Sequence, residues 1–285
     1  MEIIMKFSSY NSFLSDLYKK GLDYAAERAA RLGFSGVELL DICPRRTKMT
    51  YERYTLDEYR RAFDRNSLEL ACYSSAALLY LDDEKALLEE IYREVDFAAA
   101  LGSKYFHHTF TIGLSETPKT LSFENVIERV APIAESIAEY CDKLGMTALY
   151  EPQGAYFNGT EGFIAICDEM RRRGVKFGVC GDVGNPLFAD RLAEDVFELC
   201  KNDIMHVHVK DYIMSDEPLP EYPGNQMSDS GKHLYDCEVG KGVVNIKGCF
   251  DVLKSVGYDG YFSIELTCDD ESTERMIKYM AEVYK

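Results

Sequence analysis

The chain has 285 residues, of which 46% are hydrophobic and 28% are charged, and it contains no apolar run of about 18 residues that could cross a membrane. Its 49 acidic residues outnumber its 32 basic residues, and the net charge of −17 opposes binding to the phosphates of nucleic acids. The segment 1–10 lacks the long apolar stretch and the cleavage site of a signal peptide. We therefore expect a cytoplasmic protein with neither nucleic acid nor membrane as a partner.

Short β-branched or aromatic runs alternate with longer amphipathic stretches along the whole chain, which predicts repeated βα units around a parallel sheet. Strands are predicted at 2–8, 36–41, 68–74, 103–109, 146–151, 176–182, 203–210 and 260–266. Helices are predicted at 11–32, 55–66, 83–101, 122–144, 160–173, 189–201, 245–256 and 271–284. Several helical stretches end in glycine, which is typical of a left-handed helix cap. The pattern indicates an α/β fold, a (β/α)8 TIM barrel that forms a single domain over residues 1–285.

One irregular stretch, 212–244, interrupts this alternation after the seventh predicted strand. It is rich in proline, glycine and acidic residues, and so long a loop in a compact domain usually has a function. We expect it to form a lid over the carboxyl ends of the strands, with Tyr235 and His233 as the candidates to reach inward. An ornamental insertion and a contact between subunits are the alternatives.

Four segments place a side chain that can bind a metal at the carboxyl end of a predicted strand, namely YEPQG, CGDVGNP, HVHVKDY and FSIEL. The candidate ligands are Glu151, Asp182, His208 and Glu265. Strand ends of a TIM barrel share one rim, so these side chains are expected to converge, although each carboxylate alone is also consistent with a solvated edge or a helix cap. Three carboxylates and one imidazole favour one divalent ion, manganese first, with magnesium, cobalt or zinc as alternatives.

Further polar residues are candidates for contact with a substrate: Glu38, His108, Asn185 and Lys210. Glu38 ends the second predicted strand, and Asn185 follows Asp182 in the glycine-flanked GDVGNP turn, where an Asx turn is the alternative. Only one of the adjacent His107 and His108 can point inward, and His108 lies nearer the strand end.

Strand parity also separates the residues of the HVHVKD segment. His206 and His208 lie two positions apart and therefore face the same side, with His208 nearer the rim and His206 packed behind it. Lys210 shares that parity and is a candidate to hold a substrate oxygen or a developing enolate charge. A solvated lysine paired with Asp211 is the alternative.

These motifs resemble the xylose-isomerase-like TIM-barrel superfamily, in particular its sugar phosphate isomerase/epimerase family. The resemblance spans nearly the whole chain and is carried by GFSGVELLD, by the LYE, GDVGN and HVHVKD strand ends, and by the closing VGKGVVNIKGCFDVLKSVGYDGYFSIEL. It implies that Glu151, Asp182, His208 and Glu265 hold one divalent ion. It also implies that Glu151 and Glu265 are catalytic and exchange protons with a substrate carbon.

The resemblance implies an enzyme, a metal-dependent isomerase or epimerase of a sugar or polyol ketone. Such an enzyme removes a proton next to a carbonyl and passes through a metal-stabilised enediolate. A metal-dependent lyase or dehydratase of the same superfamily is the alternative, either inosose dehydratase-like or a subunit that cleaves 3-keto glycosides or C-glycosides. A non-catalytic sugar-binding barrel is the third hypothesis. The expected partner is a small carbohydrate, and a homo-oligomer or a small partner subunit is compatible with the sequence.

Two sequence differences distinguish this chain from endonuclease IV and the ketose 3-epimerases, which belong to the same superfamily. Endonuclease IV and the ketose 3-epimerases carry a histidine where this chain has Asn185, and the epimerases carry an arginine after the seventh strand where DYIMSDE has none. The HVHVKD segment is closer to the inosose-type enzymes.

Overall fold

The computed structural model describes residues 5–43, 49–79, 83–111, 122–222 and 224–285. Its strands are β1 (Lys6–Ser9), β2 (Gly36–Cys43), β3 (Glu69–Ala77), β4 (Tyr105–His108), β5 (Thr147–Tyr150), β6 (Gly178–Asp182), β7 (Ile204–Val209), β8 (Asp211–Ser215), β9 (Gln226–Met227), β10 (His233–Cys237) and β11 (Tyr261–Ile264). Parallel strands in the order β1-β11-β7-β6-β5-β4-β3-β2 form a closed barrel. The predicted (β/α)8 barrel is therefore confirmed.

Helices fill the connections between the barrel strands. They are α1 (Asn11–Lys19), α2 (Leu22–Arg31), α3 (Leu56–Asn66), α4 (Glu84–Ala100), α5 (Phe123–Lys143), α6 (Thr160–Arg172), α7 (Ala193–Cys200), α8 (Ile246–Ser255) and α9 (Asp270–Val283). Within the described ranges, no helix combines the length and the apolar character that a membrane span requires.

Local sequence signals explain where several helices begin and end. At the start of α3, Thr55 accepts a hydrogen bond from the amide of Glu58 while the Glu58 carboxylate accepts one from the amide of Thr55, which is a capping box. Glycine follows α2 as predicted, since Gly33 has φ of 86°. The predicted helix 11–32 is wrong in one respect: Gly21 has φ of 96° and separates α1 from α2.

The core lies mainly between the outer face of the barrel and the helices. There the large side chains of the strands pack against those of the helices, as where Tyr73 of β3 meets Phe97 of α4 with ring centroids 6.2 Å apart. Inside the barrel a smaller apolar group of Cys72, Leu149 and Cys180 packs separately. The rest of the described interior is largely polar, which is unusual for a barrel whose centre normally holds branched aliphatic residues.

The segment 212–244 is more ordered than the sequence pattern predicts. Strands β8, β10 and β9 form a separate antiparallel sheet within the long connection after β7, and the sequence pattern did not predict these strands. Asp190, in the connection after β6, contacts the turn between β9 and β10, because its carboxylate accepts hydrogen bonds from the hydroxyl of Ser228 and from the amide of Ser230. The sheet forms through pairing between residues that are distant in sequence, such as Leu234 and Met214, and local composition does not reveal such pairing.

Candidate metal centre

Four elements bring the predicted ligands to one end of the barrel. Asp182 is the last residue of β6 and His208 is the penultimate residue of β7, and the two are directly paired in register. Glu151 and Glu265 each follow a strand by one residue, after β5 and β11 respectively. Because parallel strands end at one rim, four segments far apart in sequence present their side chains to the same point.

The four ligand candidates are within reach of a single ion. One donor atom from each of Glu151, Asp182, His208 and Glu265 lies within 4.8 Å of the other three. The Nδ1 atom of His208 is 2.6 Å from Glu151 Oε1, 3.9 Å from Asp182 Oδ2 and 3.7 Å from Glu265 Oε2. The side chain of Glu265 is 18% exposed, whereas those of the other three are at most 2% exposed, so Glu265 marks the open side of the cluster.

Lys210 joins this cluster instead of pairing with Asp211. Its Nζ atom is 2.7 Å from Glu265 Oε2 and 3.0 Å from Asp182 Oδ2, and the side chain is only 6% exposed. The Asp211 carboxylate instead accepts hydrogen bonds from the backbone amides of Gly240, Gly242 and Val244. The ammonium group therefore offsets part of the negative charge that three clustered carboxylates create.

Several buried polar atoms in the cluster form no hydrogen bond of good geometry, although nitrogen atoms of neighbouring side chains lie close to them. They include Oε2 of Glu151, Oδ2 of Asp182, Oε2 of Glu265 and Nε2 of His107. A buried polar atom without a partner is costly, and such atoms in native proteins commonly face a bound ion, water or substrate. The oxygen-rich donor set with one imidazole fits a divalent cation, so the residues present are compatible with the expected ion.

The charges in the cluster alter the acidity of its members. Burial, with the charges of Glu151 and Glu265, raises the pKa of Asp182 to about 7 against the opposing effect of Lys210. Burial alone would also raise the pKa of Glu151, but His208 and His107 hold that pKa well below its usual range. The two carboxyl groups therefore differ strongly in proton affinity, although they belong to one cluster.

Glu38 does not lie at the rim, contrary to the prediction. It is the third residue of β2, it is fully buried, and its carboxylate contacts Nε2 of His208 and Nε2 of His206, each at 2.9 Å. A bulge between Val37 and Glu38 shifts the register, and β2 runs on to Cys43, past the predicted end of the strand. Glu38 is thus inside the barrel behind His208, and the expected position of His206 behind His208 is confirmed.

His107, not His108, faces the cluster. The Nε2 atom of His107 is 3.2 Å from Glu151 Oε2, and its ring meets that of His208 edge-on with centroids 5.4 Å apart. His108 points to the outside of the barrel, where its ring packs against Phe110 and Tyr150. The predicted inward orientation of His108 is wrong because nearness to the strand end does not fix side-chain parity.

Asn185 lies beside the cluster, as expected from its sequence position. Its backbone amide donates to Asp182 Oδ1 at 2.7 Å, as does that of Gly184, so Asp182 is held in an Asx-type turn. Its own amide oxygen and nitrogen are fully buried and have no hydrogen-bond partner. A side chain at Gly184 would meet Lys210 at 2.7 Å, which explains why the turn that carries Asp182 needs glycine there.

Two residues next to the cluster escaped the sequence analysis. Tyr10 directly follows β1, and its ring lies 5.2 Å from that of His208. Asp236 of β10 is close enough to Lys210 and Glu265 for their charges to act on it, and burial raises its pKa. Tyr10 could have been found as an aromatic residue at the end of the first strand, whereas Asp236 depends on the pairing of β10 with β8.

Tyr235 and His233, the two residues of segment 212–244 that were predicted to reach inward, make their contacts within that segment. The hydroxyl of Tyr235 accepts a hydrogen bond from the amide of Leu219, and its ring packs on Tyr222. His233 contacts Asn225 through Nδ1 at 2.8 Å. The expectation that one of them reaches the metal cluster is therefore wrong, since both side chains are engaged within their own segment.

A model of the xylose isomerase-like TIM barrel family matches residues 26–285. The match covers most of the chain, and the chain therefore belongs to this family. No curated protein sequence matches the chain.

Solved structures share this fold at low sequence identity. IolI protein with a bound zinc atom is 16% identical over 98% of each chain, with a TM-score of 0.73. The 3-keto-D-glucoside 4-epimerase YcjR from E. coli is 14% identical over 98% of this chain and 100% of its own, with a TM-score of 0.73. AsbF from Bacillus anthracis, a probable 3-DHS dehydratase, is 16% identical over 97% of this chain and 99% of its own, with a TM-score of 0.71.

Proposed function

We propose that this protein is a metal-dependent isomerase or epimerase of a sugar or polyol ketone. The observation that carries the proposal is the convergence of Glu151, Asp182, His208 and Glu265, whose donor atoms lie within 4.8 Å of one another. Their buried oxygens, several of which form no hydrogen bond of good geometry, support a bound cation, and the epimerase name of a fold relative supports a sugar substrate. Manganese is our first choice of ion, with magnesium, cobalt and zinc as alternatives.

When bound, the divalent ion supplies Lewis acidity that favours the enediolate form of a hydroxy ketone. In our proposal Glu151 and Glu265 are the catalytic carboxylates that take a proton from the substrate carbon and return it. Glu265 is suited to meet an incoming substrate because its side chain is 18% exposed.

The surrounding side chains suit the binding of a polar substrate. Asn185 presents an unpaired amide, which can both donate to and accept from substrate hydroxyl groups. The Lys210 ammonium lies 2.7 Å from Glu265 Oε2, where it can stabilise negative charge as it develops on the substrate. We assign to His107 the substrate-side place first expected of His108, because His107 Nε2 faces the cluster.

A lyase or dehydratase is the second candidate, and the position of Lys210 favours it. An ammonium group beside Glu265 can donate a proton to a leaving oxygen, which is the step that turns an enolised substrate into an eliminated product. The dehydratase name of one fold relative points in the same direction. The two candidates share proton removal and differ in the fate of the enolised substrate.

Incubation of the metal-loaded protein with a panel of ketoses and inosose in deuterated water separates the candidates. Incorporation of deuterium next to the carbonyl without loss of water supports the isomerase or epimerase. A dehydrated product supports the lyase. Neither result, with binding intact in calorimetry, would overturn both and leave a sugar-binding barrel.

The biological setting of the proposal rests on the sequence. We propose a small-molecule carbohydrate as the partner and a cytoplasmic location, and the net charge of −17 opposes nucleic acid as a partner. A homo-oligomer or a small partner subunit is also part of this proposal, and light scattering during chromatography of the purified protein tests it.

A further inference from the structure

Glu38 makes four short polar contacts inside the barrel. Its Oε1 atom is 2.5 Å from the hydroxyl of Ser74 and 2.9 Å from His208 Nε2. Its Oε2 atom is 2.6 Å from the hydroxyl of Ser263 and 2.9 Å from His206 Nε2. The carboxylate is fully buried, so these four groups replace the water that would otherwise solvate it.

The direction of each hydrogen bond is dictated by chemistry. An ionised carboxylate can only accept, so both histidines must donate to Glu38 through a proton on Nε2. Two hydroxyl groups and two imidazole nitrogens lie within 2.9 Å of the Glu38 oxygens, and hydrogen-bond donors around a carboxyl group favour its ionised form. The remaining ring nitrogen of His208, Nδ1, is the atom that faces Glu151, Asp182 and Glu265.

The same carboxylate acts on a third histidine through Ser74. The Ser74 hydroxyl gives its proton to Glu38, so its oxygen accepts from Nδ1 of His107, 3.0 Å away. With Nδ1 engaged by Ser74, Nε2 is the ring nitrogen of His107 that faces Glu151 Oε2, 3.2 Å away. Glu38, Ser74, His107, Glu151 and His208 thus form a closed ring of contacts.

We propose that Glu38 is a positioning residue that fixes which ring nitrogen of His208, and through Ser74 which ring nitrogen of His107, is presented to the metal cluster. This inference rests on the proposed metal site. A carboxylate behind a metal-binding histidine orients the ring and increases its basicity, and loss of such a partner typically weakens metal binding about 10- to 100-fold. A purely structural role is a poor account of Glu38, because apolar side chains are commonly as stabilising as a buried ionic network.

The metal-free wild-type protein provides the first test. Nitrogen-15 NMR of the histidine rings should show a slowly exchanging proton on Nε2 of both His206 and His208, and a proton on Nδ1 of His107. His206→Gln assigns one set of signals. A wild-type His208 that lacks a proton on Nε2 would overturn the proposal, whether or not any variant folds.

Two substitutions at Glu38 test its effect on the metal site. Glu38→Met removes every acceptor, so we expect about 10- to 100-fold weaker binding of Mn²⁺ or Zn²⁺ and loss of the slowly exchanging Nε2 proton of His208. Glu38→Gln keeps one acceptor oxygen and should weaken binding less, while the histidine that faces its NH₂ group moves its proton to Nδ1. Unchanged metal affinity and ring protons in both variants would overturn the proposal.

Glu94→Gln is the matched control, because Glu94 is also fully buried but lies on α4, outside the ring of contacts around Glu38. It should leave metal affinity and the histidine signals unchanged. Ser74→Ala should change the ring protons of His107 while His208 keeps its Nε2 proton. If the wild-type protein binds no divalent ion, the proposed metal site is wrong. The predicted protonation of the three histidines is tested separately by the nitrogen-15 NMR spectrum.

Discussion

The inner and outer faces of the barrel wall each bury a glutamate, but in opposite surroundings. Glu38 on the inner face accepts hydrogen bonds from four side chains, whereas the carboxyl group of Glu94, on α4 against the outer face, lies near the Ser75 hydroxyl but forms no hydrogen bond of good geometry among the described residues. The pKa of Glu38 is well below its usual range, and burial raises the pKa of Glu94 well above its own. Burial alone therefore does not identify a functional carboxylate; the donors around it do.

The same contrast holds for neighbouring residues on one strand. His107 contacts Ser74 and Glu151 inside the barrel, whereas His108 packs among aromatic rings outside it, where burial lowers its pKa to about 3. Adjacent residues of a strand point to opposite faces, so one face can carry chemistry while the other supports the fold. Substitutions on the two faces test this division.

The largest effect is expected inside the barrel. Glu151→Gln and Glu265→Gln should each reduce turnover at least about 100-fold, because general acid–base groups contribute about 10²- to 10⁴-fold. Glu94→Gln, on the outer side, should retain wild-type turnover. Metal content must be measured with each rate, since loss of the ion has the same effect, and a fully metallated Glu151→Gln protein with near-normal turnover would contradict the catalytic role.

Lys210→Met should separate charge stabilisation from metal binding. We expect turnover to fall by about 100-fold, which is typical for loss of one electrostatic group near a developing charge. Divalent ion affinity should stay the same or increase, because the substitution removes a cation 3.0 Å from Asp182 Oδ2. Calorimetric titration with Mn²⁺ beside steady-state kinetics checks both parts. Weaker metal binding in this variant would show that Lys210 supports the ion instead of competing with it.

Glu94→Met should stabilise the protein. Replacing an unsatisfied buried carboxyl by an apolar side chain of similar size removes a penalty of about 2 kcal/mol in the free energy of unfolding at pH 8. The raised pKa means that the folded state keeps a proton which the unfolded state loses above its ordinary pKa. The wild-type protein therefore loses stability as the pH rises, and the gap to the variant should shrink as the pH falls towards 4.5.

Urea unfolding of Glu94→Met and wild-type protein at pH 5 and pH 8 measures that gap. A variant that is less stable than wild type at pH 8, or a gap that is the same at both values, would show that the environment of Glu94 is more favourable than its contacts indicate.

The smallest effect concerns His108. Its pKa of about 3 lies below the ordinary value of 6.5, so the unfolded chain binds a proton between these values and the folded protein does not. The stability from neutral His108 is fully present above pH 6.5 and is lost as the pH falls towards 3. Relative to His108→Phe, wild-type protein should lose about 1 kcal/mol of unfolding free energy between pH 6.5 and 5.5. Urea unfolding at several pH values measures this loss. If the unfolding free energies of the two proteins change with pH in the same way, the lowered pKa of His108 is contradicted.

The barrel and the residues at its rim could be predicted from the sequence alone. The alternation of strand and helix patterns specifies a repeated βα fold, and that fold carries the ends of parallel strands to one edge. Glu151, Asp182, His208 and Glu265 were therefore predictable as one cluster from the position of each at a strand end, without any knowledge of the contacts between them.

The direction and the contacts of the remaining side chains depend on the tertiary structure. A bulge in β2 shifts the register at Glu38, so its position cannot be obtained by counting residues along the strand. The alternation of side chains along β4 directs His107, and not His108, towards the cluster. The sheet of β8, β9 and β10 depends on pairing between distant segments, which turns Tyr235 away from the cluster and brings Asp236 near Lys210. Local sequence encodes the period of a strand, whereas register and long-range pairing are set by packing of the whole chain.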